Sequence, residues 1–204
     1  MRRLRWFLVG VFFCGVAALL VAALVLQNAR GFPANHRPGA IEAWIARWAR
    51  SESFPADARS RPNPVPNTPE LLAEARAHWA DHCATCNAND GSGDTEMGRN
   101  TYPPAPDMRL PATQRLTDGE LFYIIQNGIR FTAMPAWGGG EHDATDSWSL
   151  VRFIRHLPQV TDEEKRAMER MNPRTPAEMK EEQEEEKFLE GEGNNHENMQ
   201  HHHH

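Results

Sequence analysis

Cysteine is scarce, with three residues in 204, at positions 14, 83 and 86. That excludes a scaffold built from disulfides. Positive charge is also in short supply: 22 Lys and Arg against 28 Asp and Glu leave a formal net charge of −6. Such a balance argues against a protein that reads nucleic-acid backbones. No segment of any length alternates apolar and polar residues, so strands are not expected. The chain is too short for a barrel enzyme or a multidomain machine. Apolar residues amount to 40% and the mean hydropathy is −0.65, and that apolar content is unevenly spread.

Much of it lies in residues 6–26, which hold 21 positions without a charged side chain. As a helix this run measures roughly 32 Å, close to the ~30 Å thickness of a hydrocarbon core. Arg2, Arg3 and Arg5 precede it and Arg30 follows. The positive-inside rule then places the N-terminus in the cytoplasm and the rest of the chain outside. A cleaved signal peptide would have a shorter apolar region and an A-x-A-like end, whereas this one closes on Val25-Leu26-Gln27-Asn28-Ala29. Residues 1–30 are therefore read as an uncleaved, single-pass anchor. Cys14 lies in its middle after Phe13, which is not the small residue that lipid attachment requires, and serves as apolar filler.

Residues 31–67 read as a linker with one ordered interruption. Ile41, Trp44, Ile45 and Trp48 fall at i, i+3, i+4 and i+7, the spacing of one apolar helical stripe. With Arg47 and Arg50 alongside, this helix either lies at the membrane interface or packs on the following domain. Pro55, Pro62, Pro64 and Pro66 then predict extended chain. A folded domain is expected over residues 68–158. Thr68-Pro69 supplies an N-cap and a first-turn proline, and Leu72, Ala75, Trp79 and Cys83 form a stripe. Thr117 and Glu120 make a capping box before Leu121, Ile124 and Ile125. Trp148, Val151, Ile154 and Leu157 form the stripe of a last helix ending before Pro158. Residues 159–204 are expected to be a separate acidic tail, partly helical or disordered. From 161 onward 13 acidic residues face 6 basic ones, a net of −7. Capping boxes at 161–164 and 175–178 allow short helices there. His201, His202, His203 and His204 are a tag remnant or a natural metal-scavenging end and do not enter the fold.

Cys83-Ala84-Thr85-Cys86 carries the chemistry. Two cysteines at this spacing can clamp zinc, cycle as a dithiol, or form thioethers to haem. His78 and His82 lie nearby, but no second ligand pair at zinc spacing follows. A thioredoxin-like dithiol belongs between a strand and a helix, whereas this pair follows a helix and opens a loop. A distant segment, Phe131 to Trp137, presents Met134-Pro135 on a loop. The proline forbids helical continuation, and a loop thioether suits an axial position on haem iron. Met97 and Met108 lack that context and are read as packing or exposed residues.

On these residues the chain resembles the class I cytochrome c family, in particular its membrane-anchored, single-haem bacterial members. The resemblance covers about residues 68–158. It is carried by Trp79-Ala80-Asp81-His82-Cys83-Ala84-Thr85-Cys86, by Asn89-Asp90-Gly91-Ser92-Gly93, and by Gly128-Ile129-Arg130 leading to Met134-Pro135-Ala136-Trp137. It implies an all-α, small cytochrome c-like domain behind a transmembrane helix, with crossing terminal helices. It implies haem c held covalently by Cys83 and Cys86, with Met134 as distal iron ligand. Trp137 and Tyr102 would line the pocket, approach the propionates, or serve the core or rim. The implied function is that of an electron carrier or electron-transfer subunit, not an enzyme. The implied partners are the membrane and redox proteins of a respiratory chain, and the implied location is the periplasmic side of the bacterial inner membrane.

One position departs from the family pattern. The motif C-x-x-C-H places a proximal histidine where this chain has Asn87. A neutral carboxamide is a hard, weak ligand for haem iron. Haem is then held by Met134 with water or a displaced histidine, bound weakly without thioethers, or absent. The last case would leave a haem-deficient structural or interaction subunit. An open iron position would instead permit weak peroxidase-like chemistry. His82 precedes Cys83 and points about 100° away on a regular helix, and His142 and His156 read as surface residues.

Overall fold

The computed structural model describes residues 2–28, 33–139, 144–174 and, within 178–188, all but 182 and 186. His142, residues 175–177 of the second tail capping box, and the terminal histidines lie outside the described residues. Helices α1 (Arg2–Asn28), α2 (Ala40–Ser53), α3 (Ala56–Ser60) and α4 (Pro69–His78) come first. The short turns α5 (Ala84–Asn87), α6 (Glu96–Arg99) and α7 (Pro111–Gln114) follow, then α8 (Asp118–Asn127), α9 (Ala144–His156) and α10 (Asp162–Glu169). No strand occurs among the described residues, so the all-α expectation is met.

α1 is long and apolar enough over Arg2–Gln27 to cross a membrane. Its leucine, valine and phenylalanine side chains are exposed along the helix. α2 likewise buries none of its residues. Of the two readings of its stripe, packing on the domain is not what the structure shows. The helix is mounted by its other side: Tyr102 donates its hydroxyl to Glu42, and Arg59 donates to the Ser51 carbonyl.

Three helices enclose the core. Thr68 accepts from the Leu71 amide at 3.3 Å and starts α4, which packs against α9. Trp79, 1% exposed, lies 5.6 Å from the Phe153 ring. α8 is opened by the expected capping box between Thr117 and Glu120 and stacks Phe122 on Trp148 of α9, with ring centroids 4.0 Å apart. Burying such side chains contributes roughly 1.5–3 kcal/mol each.

Packing extends beyond residues 68–158 at both ends. The stretch expected to be extended linker is strapped to the domain from Phe54 onward. Phe54, Ala58 and Val65 are buried, and Phe54 meets Tyr123 edge to face at 5.8 Å. Asn63 donates to the Trp148 carbonyl at 2.9 Å, and Arg152 donates to the Val65 carbonyl at 2.7 Å. At the other end the packed unit continues past residue 158. Thr161 and Glu164 cap α10, and Met168 is fully buried in the same cluster as Trp79, Phe153 and Leu157. Glu164 ties the helices together, 3.0 Å from His156 of α9 and 3.5 Å from Arg76 of α4.

Candidate functional site

The cysteine pair does not sit on a regular α-helix. Between α4 and α5 the backbone makes a π-helical turn, Trp79–Cys83, a feature that often marks functional positions. Cys83 ends that turn and Cys86 lies on α5, so the loop opens after Asn87. The extra residue in the turn sets His82 against Trp137, edge to face at 5.3 Å. This contact joins the cysteine segment to the Met134 loop, which lie some fifty residues apart in the chain.

Burial pushes the Cys83 thiol up to about 12, with the neighbouring Cys86 adding to the rise. Burial also raises the Cys86 thiol. Both are therefore thiols at neutral pH, unlike the activated thiolates of dithiol oxidoreductases or zinc sites. Among the described residues no group of three or more His, Cys, Asp or Glu side chains gathers into a metal cluster.

The backbone after Cys86 is clamped from several directions. Thr95 donates its hydroxyl to the Thr85 and Cys86 carbonyls and accepts from the Gly98 amide. Gly98 is required here, because a Cβ would lie 2.2 Å from the Cys86 carbonyl oxygen. Asp90 and Asp107 both hold Arg109 at 2.8 Å. Burial alone would raise the Asp90 carboxyl, but hydrogen bonds from Ser92 and the Arg109 charge leave it below the usual carboxylate range. This clamp was not read from the sequence, although Asp-x-Ser and Asp-x-Arg turns are the signal that carries it.

Met134 is half-buried on a loop fixed at both ends. Its amide donates to Thr132 Oγ1 at 3.1 Å, its carbonyl accepts from Ile129 at 3.1 Å, and Trp137 donates its amide to the Ile125 carbonyl at 3.0 Å. Of the other expected candidates, Met97 is exposed and Met108 packs on the core. Tyr102 does not turn inward: its hydroxyl is engaged by Glu42 on α2. His156 is half-buried and held by Glu164, not the free surface residue expected. A separate open cleft of about 430 Å³ is lined by Asp57, Arg61, Phe122, Tyr123 and Gln126, with none of the expected site residues among them.

The donor set was tested against haem c. Two protonated thiols three residues apart, in a clamped helical turn beside an anchored methionine loop, fit thioether attachment and one axial thioether ligand. The fourth position does not fit. Asn87 is half-buried, and its amide nitrogen donates back to the Cys83 carbonyl at 3.1 Å.

A helical core of α4, α8 and α9, with a C-x-x-C turn joined to a methionine loop by the His82–Trp137 contact, is the arrangement of a class I c-type cytochrome domain, a class that binds haem c covalently and transfers electrons. Residues 70–154 match the family described as cytochrome c oxidase, cbb3-type, subunit III. That match suggests a respiratory-chain redox context and an electron-transfer role for the domain.

Proposed function

We propose that this protein is a membrane-anchored, single-haem electron carrier or electron-transfer subunit. It works on the periplasmic face of a bacterial inner membrane and exchanges electrons with redox proteins of a respiratory chain. The observation that carries the reading is the meeting of the cysteine turn with the Met134 loop through His82 and Trp137. Bound haem supplies an iron that gains and loses one electron at a time. In this reading Cys83 and Cys86 hold the group, and Met134 offers a soft thioether that favours the reduced metal. Trp79 and Phe153 form the dry floor behind the cysteine turn. Asn87 occupies the proximal-ligand position without supplying an imidazole, so the iron lacks the nitrogen donor that the family motif provides.

The test is a haem stain on a denaturing gel together with a pyridine haemochrome spectrum, on protein made in a host with c-type maturation machinery. Covalent haem in a largely high-spin state is the expected result, because one strong axial ligand is missing. Asn87→His should convert it to a low-spin spectrum and increase the stained fraction. Protein that stays colourless under the same conditions, both as it is and as Asn87→His, would sink the proposal.

A further inference from the structure

Ile41, Trp44, Ile45 and Trp48 are 75%, 62%, 49% and 57% exposed. At about 100° per residue these four side chains share a sector roughly 100° wide. On the same count Glu42 and Arg50 lie about 110° and 170° from the middle of that sector. Both engage groups beyond the helix. Glu42 accepts from Tyr102, while Arg50 is half-buried and feels the charge of Glu120. The helix is thus mounted by its polar face, and its apolar stripe cannot be covered by its own domain without breaking that mounting.

Three observations select lipid as the occupant. The first is reach. α1 ends at Asn28 and α2 begins at Ala40, twelve peptide steps that span at most about 40 Å. With α1 in the bilayer, α2 therefore stays close to the headgroups, and even a weak apolar face acts at a high effective concentration. The second is composition. Two of the four stripe residues are tryptophan, whose partly polar indole favours the boundary between water and hydrocarbon. The third is charge. Arg37 and Arg47 are exposed before and beside the stripe, and their long stems can lie along apolar surface while the guanidinium meets lipid phosphate.

We infer that α2 lies in the headgroup layer of the membrane that α1 crosses. It forms a second contact that fixes which face of the cytochrome domain looks at the bilayer. Residues 29–39 connect the two membrane contacts, and the packed strap over 54–67 joins α2 to the domain. The inference rests on the proposed anchoring by α1.

The test uses the full chain, Trp6→Phe, in phosphatidylcholine–phosphatidylglycerol vesicles with and without brominated acyl chains. Brominated lipid should quench part of the tryptophan emission. Adding Trp44→Phe and Trp48→Phe should abolish that lipid-dependent quenching, leaving Trp79, Trp137 and Trp148 unaffected, with circular dichroism showing an unchanged helix content. Equal quenching in both proteins overturns the inference. So does shielding of Trp44 and Trp48 from aqueous iodide without quenching by brominated lipid, which reports a protein partner or a second copy on the stripe. Bromolipid quenching of Trp6 in the parent chain, with none from Trp44 and Trp48, leaves the anchor standing and overturns this inference alone. Protein that fails to float with vesicles overturns both.

Discussion

Ala88 closes the helical turn that carries the cysteines with φ 62° and ψ 161°, a region of backbone space used almost only by glycine. It is held there because its amide donates to the Ala84 carbonyl at 2.8 Å and its carbonyl accepts from the Trp79 indole at 3.0 Å. Ala88→Gly should therefore raise stability by about 1 kcal/mol, since the strain removed exceeds the entropy that glycine adds to the unfolded chain. Urea unfolding checks this, and a lower midpoint would show that the Ala88 methyl packs usefully. At this scale the sequence singled out Cys83, Cys86 and Met134, because spacing and a neighbouring proline constrain what such residues can do. It was silent on Ala88 and on the amide of Asn87. Each depends on a single dihedral choice made by surrounding contacts.

At the scale of elements, caps and apolar stripes were legible, and burial outside those stripes was not. Thr117 and Thr161 both make the boxes that their sequences spell, because the partners are three residues apart. That α10 packs rather than floats depends on Met168, one apolar residue in an acidic segment, entering the core beside Trp79 and Phe153. Met168→Ala should cost about 2–5 kcal/mol, the usual range for emptying a buried site, whereas a solvated tail would lose almost nothing. Thermal or urea unfolding separates the two. The strap over 54–67 was hidden for a similar reason. Its prolines announce extended chain, but what holds it is Asn63 on the Trp148 carbonyl and Arg152 on the Val65 carbonyl, pairs more than 80 residues apart. The π-helical turn Trp79–Cys83 also escaped the periodicity, since it adds a residue without disturbing the apolar positions on either side.

For the whole molecule, three carboxylates in the ties between segments set the acid limit of the fold: Asp90 and Asp107 on Arg109, and Glu164 on His156 and Arg76. Hydrogen bonds from Arg109 hold Asp107 low, and Asp90 is kept low despite its burial. Glu164 is likewise held below its usual range: burial opposes this, but bonds from Thr161 and His156 prevail. A carboxylate whose folded pKa lies below its unfolded value stabilises the fold fully above the unfolded value, about 4, and loses that contribution as the pH falls through the folded one. The urea midpoint should therefore fall steadily as the pH is lowered from about 5 toward 3. Arg109→Gln should flatten part of that slope; an unchanged slope would show that the Asp90–Arg109–Asp107 cluster is not a source of it. These groups are partly solvated, so each contribution is modest.

The sequence by itself determined what local chemistry can dictate: an all-α chain, one helix of membrane-spanning length, the helix starts at Thr68, Thr117 and Thr161, and the positions of a C-x-x-C motif and a Met-Pro segment. Each of these rests on residues within a turn or two of one another. The tertiary structure decided where the domain begins and ends, which side of α2 faces outward, and that His82 meets Trp137. The limits of the domain follow from burying Phe54, Val65 and Met168 against partners distant in the chain. Packing of that kind is a property of three-dimensional proximity, which residue spacing does not encode.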